Sequence, residues 1–353
     1  MKVNPFLQLA CLQTALSAGF SKNIDVLGDP EQLLIKNYWY PFHVGKKGPL
    51  FSKLLHICPE PIQHFAAAFV ARCVGINITL MRTLIRSTVH DRLEKIKDEE
   101  FDIYPAADEE QPQDVLEGLL RVGYKHLSEA SLFRHAMTTL SASLEMPSGQ
   151  LSWAIYALSH PRNIHVQERL RSEIRRNFPV HPETLSWEQV KSQKYLNGVV
   201  NEVLRLYPNV VHRDRVCNTS TRVQDVPIPR GTVLTIHIYG TNRQPEIWGP
   251  DAGDFEPERW FPENEGNGDG WRRDAFAFMT FGQGPRKCPG EHYTRTLIAC
   301  MLFEVVGRFH IRRAKGYSDV IEDDNAERVG VGLTMKADIW VNVKEVLGWD
   351  NSP

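Results

Sequence analysis

One cysteine in this chain stands in surroundings built for chemistry. Phe281-Gly282-Gln283-Gly284-Pro285-Arg286-Lys287-Cys288-Pro289-Gly290 places a thiol at the end of a loop rich in glycine and proline. Glycines let backbone approach a large flat ligand and turn amides toward a sulfur. Pro289 suits the first turn of a following helix, where a missing N–H costs nothing. The amino end of that helix then favours a thiolate at Cys288. Leu297, Ile298, Met301, Leu302, Val305, Val306 and Phe309 recur at helical spacing, so the helix buries one face. A lone cysteine is more often a buried structural thiol than a ligand. Its neighbours decide the matter.

Those neighbours match, at every defining position, the haem-binding signature Phe-x-x-Gly-x-Arg-x-Cys-x-Gly, and the stretch resembles that of the cytochromes P450. The resemblance implies that Cys288 is the proximal thiolate ligand of haem b iron. It implies that Arg286 pairs with a haem propionate and that Phe281 packs near the sulfur. Thiolate ligation pushes electron density onto iron and favours O–O cleavage.

Glu202-Val203-Leu204-Arg205 sets an acid and a base three residues apart on one helix face, where they can pair. Alone that is an ordinary ion pair. With Leu206-Tyr207-Pro208 after it, the stretch resembles the family's Glu-x-x-Arg helix, and Phe255-Glu256-Pro257-Glu258-Arg259-Trp260 resembles its Pro-Glu-Arg-Phe segment. The resemblance implies a buried triad of Glu202, Arg205 and Arg259 behind the haem loop, a structural lock and not a catalytic group. Arg215, seven residues after Pro208, takes the place of a second propionate-binding arginine, with Arg213 a close competitor. Val210, Val211 and His212, and the Gly330-Val331-Gly332-Leu333-Thr334 turn, resemble substrate-side segments.

The oxygen-activating helix departs from the family. Aligned through Leu151-Ser152-Trp153-Ala154-Ile155-Tyr156, the register puts Ala142-Ser143-Leu144-Glu145-Met146-Pro147 where an acid and a threonine manage proton delivery. Glu145 takes the acidic place, so it is the catalytic candidate. Met146 replaces the threonine and cannot donate a useful hydrogen bond. Pro147 removes a backbone hydrogen bond and should kink the helix. Thr138-Thr139 could serve only after a shift of about two turns.

The elements that must position these residues are read from pattern. Met1 to Phe20 reads as a buried amphipathic helix, Thr79 to Glu100 and Asp114 to His126 as helices, and Glu99 to Gln113 as an acidic loop. Leu132 to Leu158 reads as a long helix broken at Met146-Pro147-Ser148-Gly149, and Arg162 to Asn177 as a charged helix. Arg222 to His237 should hold short strands, Pro262 to Gly270 and Gly316 to Glu327 loops, and Val329 to Val343 a terminal hairpin. The class is α+β, mainly α.

Composition fits a large enzyme: 353 residues, 42% hydrophobic, net charge -2. No Lys/Arg-dense block appears, which argues against nucleic acid as a partner. The six cysteines have no paired spacing and read as reduced thiols of an intracellular protein. The first twenty residues are too short and mixed for a membrane span and carry no signal core.

Residues 1–353 are expected to form one P450 domain, with residues 140–312 P450-like throughout. Asn4 to Phe20 resembles a mid-domain helix, so the fold is expected to lack its amino-terminal part, including the membrane anchor, the early helices and a Trp-x-x-x-Arg propionate contact. The resemblance implies a monomeric haem-thiolate monooxygenase that takes electrons from NADPH-cytochrome P450 reductase and oxidises an apolar small molecule. In the family such enzymes face the cytosol on the endoplasmic reticulum. Ile228-Pro229-Arg230-Gly231-Thr232 and Ile247-Trp248-Gly249-Pro250-Asp251 are similar to filamentous-fungal enzymes of secondary-metabolite biosynthesis. Two other readings stand beside it: rearrangement, coupling or dehydration on the same fold, which Met146 permits, and a non-catalytic haem-binding remnant, which a shortened start permits.

Overall fold

A computed structural model of the chain describes residues 1–28, 79–98, 112–261, 276–314, 326–329, 332–335 and 339–349. The acidic loop of 99–111, the loops of 262–270 and 316–325, and most of the Gly330–Val331 turn lie outside those residues. The chain divides into two compact units, residues 8–145 in one and residues 1–7 with 146–353 in the other.

In the first unit, helices α1 (Asn4–Phe20, most of it), α2 (Thr79–Asp98) and α3 (Val115–Gly123) are each held by a buried face. Leu12, Leu16, Ile85, Val89 and Leu120 are wholly buried. Asp114 caps α3 by accepting from the Glu117 amide at 2.9 Å, and the same carboxylate takes Arg92 at 2.6 Å and the Ser21 hydroxyl at 2.5 Å. One short acidic side chain therefore joins α1, α2 and α3.

Helix α4 (Glu129–Ser159) runs from the first unit into the second. It does not break at Met146–Gly149. Pro147 sits inside it, and the helix continues because a proline removes a single ladder bond while Leu140, Leu144, Leu151 and the run Trp153–Leu158 are buried on either side. Beyond Pro147 the helix is tied to the strand-bound loop of the second unit. The Asn209 side-chain amide donates to the Met146 carbonyl. Gln150 donates to the Tyr207 carbonyl at 2.8 Å, and the Trp153 ring stacks on Tyr207 at 4.7 Å.

The second unit continues with α5 (Ile164–Asn177), α6 (Trp187–Lys191), α7 (Lys194–Leu206) and, later, α10 (Glu291–Arg308), with the single-turn helices α8 (Ile238–Thr241) and α9 (Pro245–Trp248) between. Glu173 of α5 caps α7, accepting from the Tyr195 and Leu196 amides at 2.9 and 3.1 Å. Leu297, Ile298, Leu302, Phe303 and Val306 lie on the buried face of α10; of the residues read from the spacing, Met301 and Val305 are only half-buried and Phe309 is the C-cap beyond the helix.

Strands β1 (Arg213–Val216) and β4 (Val233–Ile236) pair antiparallel, as do β2 (Thr221–Val223) and β3 (Val226–Ile228). Strand β5 (Phe309–Arg313) pairs with β8 (Val341–Glu345), and β6 (Ala326–Val329) with β7 (Gly332–Met335). The terminal hairpin is thus β6–β7 alone. Val341 and Val343 belong to a different ladder, opposite Arg313 and Ile311, because alternation along a strand does not reveal which strand lies beside it. Small two-stranded sheets beside long helices make the α+β, mainly α class that the sequence indicates. Among the described residues, no helix is long and apolar enough to cross a membrane.

Candidate haem-thiolate site

The Cys288 loop is assembled from its backbone outward. Gly282 and Gly284 lie at φ 70° and 75°, a region that disfavours side chains, so the two turns of the loop require glycine. The Gly282 amide donates to the Met279 carbonyl at 2.8 Å, Lys287 to Gly284 at 3.0 Å, and Cys288 to the Phe281 carbonyl at 2.8 Å. Phe281 and Cys288 are therefore locked together by one backbone bond, and Phe281 is buried. Cys288 is a free, half-buried thiol. Its sulfur lies 3.8 Å from where a Cβ on Gly290, the cap residue of α10, would stand. Pro289 precedes that cap and is not in the first turn of the helix. The sulfur still sits against the positive end of an 18-residue helix.

Arg295, which the sequence did not single out, fastens this loop to the rest. It bonds Glu291 at 2.9 Å and the side chain of Asn201 on α7, and its guanidinium stands 5.3 Å from the centre of the Phe281 ring. Burial pushes the Glu291 carboxyl up, but Lys287 and Arg295 outweigh it and hold the group below the usual carboxylate range.

Behind the loop, Glu202, Arg205 and Arg259 come together. Glu202 and Arg205 have no solvent exposure, and their pairing is bidentate, at 2.6 and 2.9 Å. Arg259 stands 3.4 Å from the same carboxylate. The lock is larger than three residues. The Trp260 indole and the Glu256 amide also donate to Glu202, at 2.9 and 3.0 Å. Arg205 gives its other N–H groups to the carbonyls of Asn242, Ala252 and Asp254. Asn242 then reaches the segment just before Phe281 directly, accepting from the Met279 amide at 3.2 Å and donating to the Thr280 hydroxyl at 2.8 Å. A continuous chain of hydrogen bonds runs from Glu202 to the residue before Phe281.

Asp251 closes the outer side by binding Arg259 at 2.8 Å. Burial raises the Asp251 carboxyl, but the hydrogen bond and charge of Arg259 prevail and hold it below its ordinary value. Such a group stabilises the fold above the unfolded carboxylate range, near pH ~4, and that contribution is lost as pH falls through the lowered native value. Asp251→Asn is therefore expected to flatten the acid limb of stability. Urea midpoints measured from about pH 5 downward should fall less steeply in the variant than in the parent; equal slopes would remove Asp251 from the lock.

Arg286 and Arg215 are both exposed. Arg215 turns its guanidinium to the neighbouring Asp214 carbonyl at 2.8 Å. Its competitor Arg213 is the one that meets the loop, donating to the Arg286 carbonyl at 3.0 Å and packing where a Cβ on Gly282 would fall. The two arginines share a strand face, two residues apart, which is why spacing alone does not separate them. Glu145 belongs to the other compact unit. It keeps contact with solvent, and burial of its carboxyl pushes it above the usual carboxylate range.

The residues present fit a haem. The thiol has no disulfide partner, its loop is backbone-lined at two glycines, and cationic side chains flank it.

The comparisons with known proteins agree. The family model for cytochrome P450 matches residues 1–337. The chain belongs to the cytochrome P450 family. It is 33% identical over 305 residues to the cytochrome P450 monooxygenase sphH of Aspergillus fumigatus, covering 83% of this chain and 52% of that one. With the cytochrome P450 monooxygenase ALT8 of Alternaria alternata it shares 27% identity over 373 residues, 94% of this chain and 60% of that one. Cytochrome P450 3A9 of Rattus norvegicus is 26% identical over 300 residues, 85% of this chain and 56% of its own length. The chain therefore spans little more than half the length of these curated relatives. Membership implies a haem-thiolate cofactor, the class of group that the Cys288 loop suits.

Proposed function

We propose that this P450 chain is a haem-thiolate monooxygenase that holds haem b through Cys288 and inserts one oxygen atom into an apolar small molecule. Residues 1–353 act in this reading as one P450 domain. The observation that carries it is the unpaired Cys288 sulfur at the amino end of α10, on a loop braced by the Glu202 lock. When bound, the haem supplies dioxygen activation with a thiolate ligand. The residues of the chain do the rest. Phe281 shields the sulfur side, and the α10 dipole stabilises the thiolate. Arg286 and Arg215 are the propionate partners assigned from the family pattern, and Arg213 is added because it reaches the loop. Glu145, whose raised carboxyl gives up its proton less readily than an ordinary acid, acts as the proton carrier that Met146 cannot be. The electrons come from NADPH through cytochrome P450 reductase, so that substrate, dioxygen, NADPH and a proton give hydroxylated product, water and NADP. The fungal monooxygenases among its relatives support a substrate from secondary-metabolite biosynthesis.

A second reading, rearrangement, coupling or dehydration, rests on Met146. Its side chain offers no hydroxyl, and its carbonyl is engaged by Asn209. The two readings separate in one assay. With haem and reductase, the first expects substrate-dependent NADPH consumption matched by a product carrying one added oxygen atom. A product without added oxygen moves the chain to the second reading, and no turnover with a panel of apolar substrates overturns both.

A further inference from the structure

A groove on the first compact unit, far in sequence from the Cys288 loop, has the make-up of an anion site. Arg82 and Arg86 stand one turn apart on α2, and both guanidiniums lie over the ring of Phe133 on α4, at 5.6 and 4.8 Å from its centre. Two like charges at that spacing repel. Among the described residues neither has a carboxylate within ion-pair distance, and Arg134, on the opposite wall, has only the Ser131 hydroxyl at 2.8 Å. The one carboxylate on the walls, Glu129, is taken by His90 at 3.3 Å. Three cations thus converge with one acid among the described wall residues, so positive charge is in excess.

The shape is concave. Two adjoining open hollows of about 580 and 450 Å³ share Arg82, Arg86 and Glu129 as walls, which is the size of a small-molecule site. Phe133 forms an apolar floor that is 6% exposed, and its ring face keeps the guanidiniums in place. The groove lies at the first turn of α4, the positive end of a 31-residue helix.

We propose that this groove binds a phosphate monoester. A dianion offsets two of the three positive charges, and the planar forks of Arg82 and Arg86 match phosphate oxygens in pairs, which a lysine ammonium would not. The phosphate can be carried by a soluble metabolite or by a lipid headgroup, and the chemistry at the groove is the same. The groove requires neither haem nor turnover, so the site can be tested on the full chain whether or not the monooxygenase reading holds.

The test is titration calorimetry of the full chain with inorganic phosphate, beside sedimentation with phosphatidic acid vesicles and with phosphatidylcholine vesicles as control. Saturable binding that weakens with salt is expected in at least one arm, and which arm responds identifies the carrier. Arg86→Ala and Arg82→Ala should each weaken it about tenfold or more, as loss of a charge-assisted hydrogen bond does. Arg86→Lys should weaken it too, because charge survives but the fork does not. Both positions are exposed, so the variants should keep the parent's circular dichroism and melting curve. Failure of both arms, or binding unchanged in an Arg82→Ala, Arg86→Ala double variant of parental stability, overturns the proposal.

Discussion

Replacing Glu202 by Gln is expected to destabilise the chain by about 3–5 kcal/mol, the cost of leaving buried charge uncompensated. Arg205 has no solvent exposure, and the Arg259 side chain is 4% exposed. Without the carboxylate, two guanidiniums stay buried beside a neutral amide that can accept at only one atom. Five N–H donors converge on Glu202, two from Arg205 and one each from Arg259, Trp260 and the Glu256 backbone. The amide nitrogen of Gln would face donors where an oxygen now accepts. Arg205→Lys tests the other half of the pair. A lysine keeps the charge but cannot reach the Asn242, Ala252 and Asp254 carbonyls while pairing with Glu202, so it should lose nearly as much. Denaturant midpoints by circular dichroism give the measurement. A loss below about 1 kcal/mol for Glu202→Gln would place the lock among ordinary surface ion pairs. Because Asn242 links Arg205 to Met279 and Thr280, the same variant should also loosen the Cys288 loop, visible as faster hydrogen exchange at the Cys288 amide.

How much of this was legible in the sequence depends on whether a contact is local. The Cys288 loop and the Glu202–Arg205 pair could be read because their members are neighbours along the chain in stretches that resemble family motifs; helical spacing alone says only that Glu202 and Arg205 can pair. Helix α10 could be read because its apolar residues keep one spacing throughout. Arg259 was legible only through its resemblance to a family segment, since nothing in residues 202–259 dictates that they meet. Trp260, Asn242 and Arg295 were missed for the same reason: each acts across 37 or more residues on a group that no periodicity announces. Arg213 and Arg215 show another limit. They lie on one strand face, and only the position of Gly282 opposite Arg213 decides which reaches the loop. The break expected at Pro147 did not occur, because a rule about one missing hydrogen bond competes with burial along a whole helix. Pro289 fell one residue short of the helix for a related reason. The cap at Gly290 is set by the Cys288–Phe281 backbone bond, which turns the chain before the helix begins. In each case the local rule was sound and a tertiary contact outweighed it.

The second large effect concerns Cys288 itself. Cys288→Ala is expected to abolish the red-shifted Soret band that a thiolate-ligated haem gives when reduced under carbon monoxide, and with it all monooxygenase turnover. The fold should survive. Cys288 is half-buried, and its own backbone amide, not its sulfur, makes the bond to Phe281 that shapes the loop. Removing the sulfur therefore deletes the proposed ligand and leaves the Met279–Gly282, Gly284–Lys287 and Cys288–Phe281 backbone bonds intact. Two controls separate ligation from damage. Cys300→Ala, on α10 beyond the loop, should leave the band in place, since burial and the Glu304 carboxylate push that thiol up and make it a poor thiolate. Cys288→Ser should shift any remaining carbonyl band to the position of an oxygen- or nitrogen-ligated haem, because a hydroxyl is neither as acidic nor as electron-donating as a thiol. A red-shifted band retained in Cys288→Ala, with the melting curve of the parent, would mean that another sulfur holds the iron. The proximal assignment would then pass from the α10 loop to whichever thiol, when replaced, removes the band.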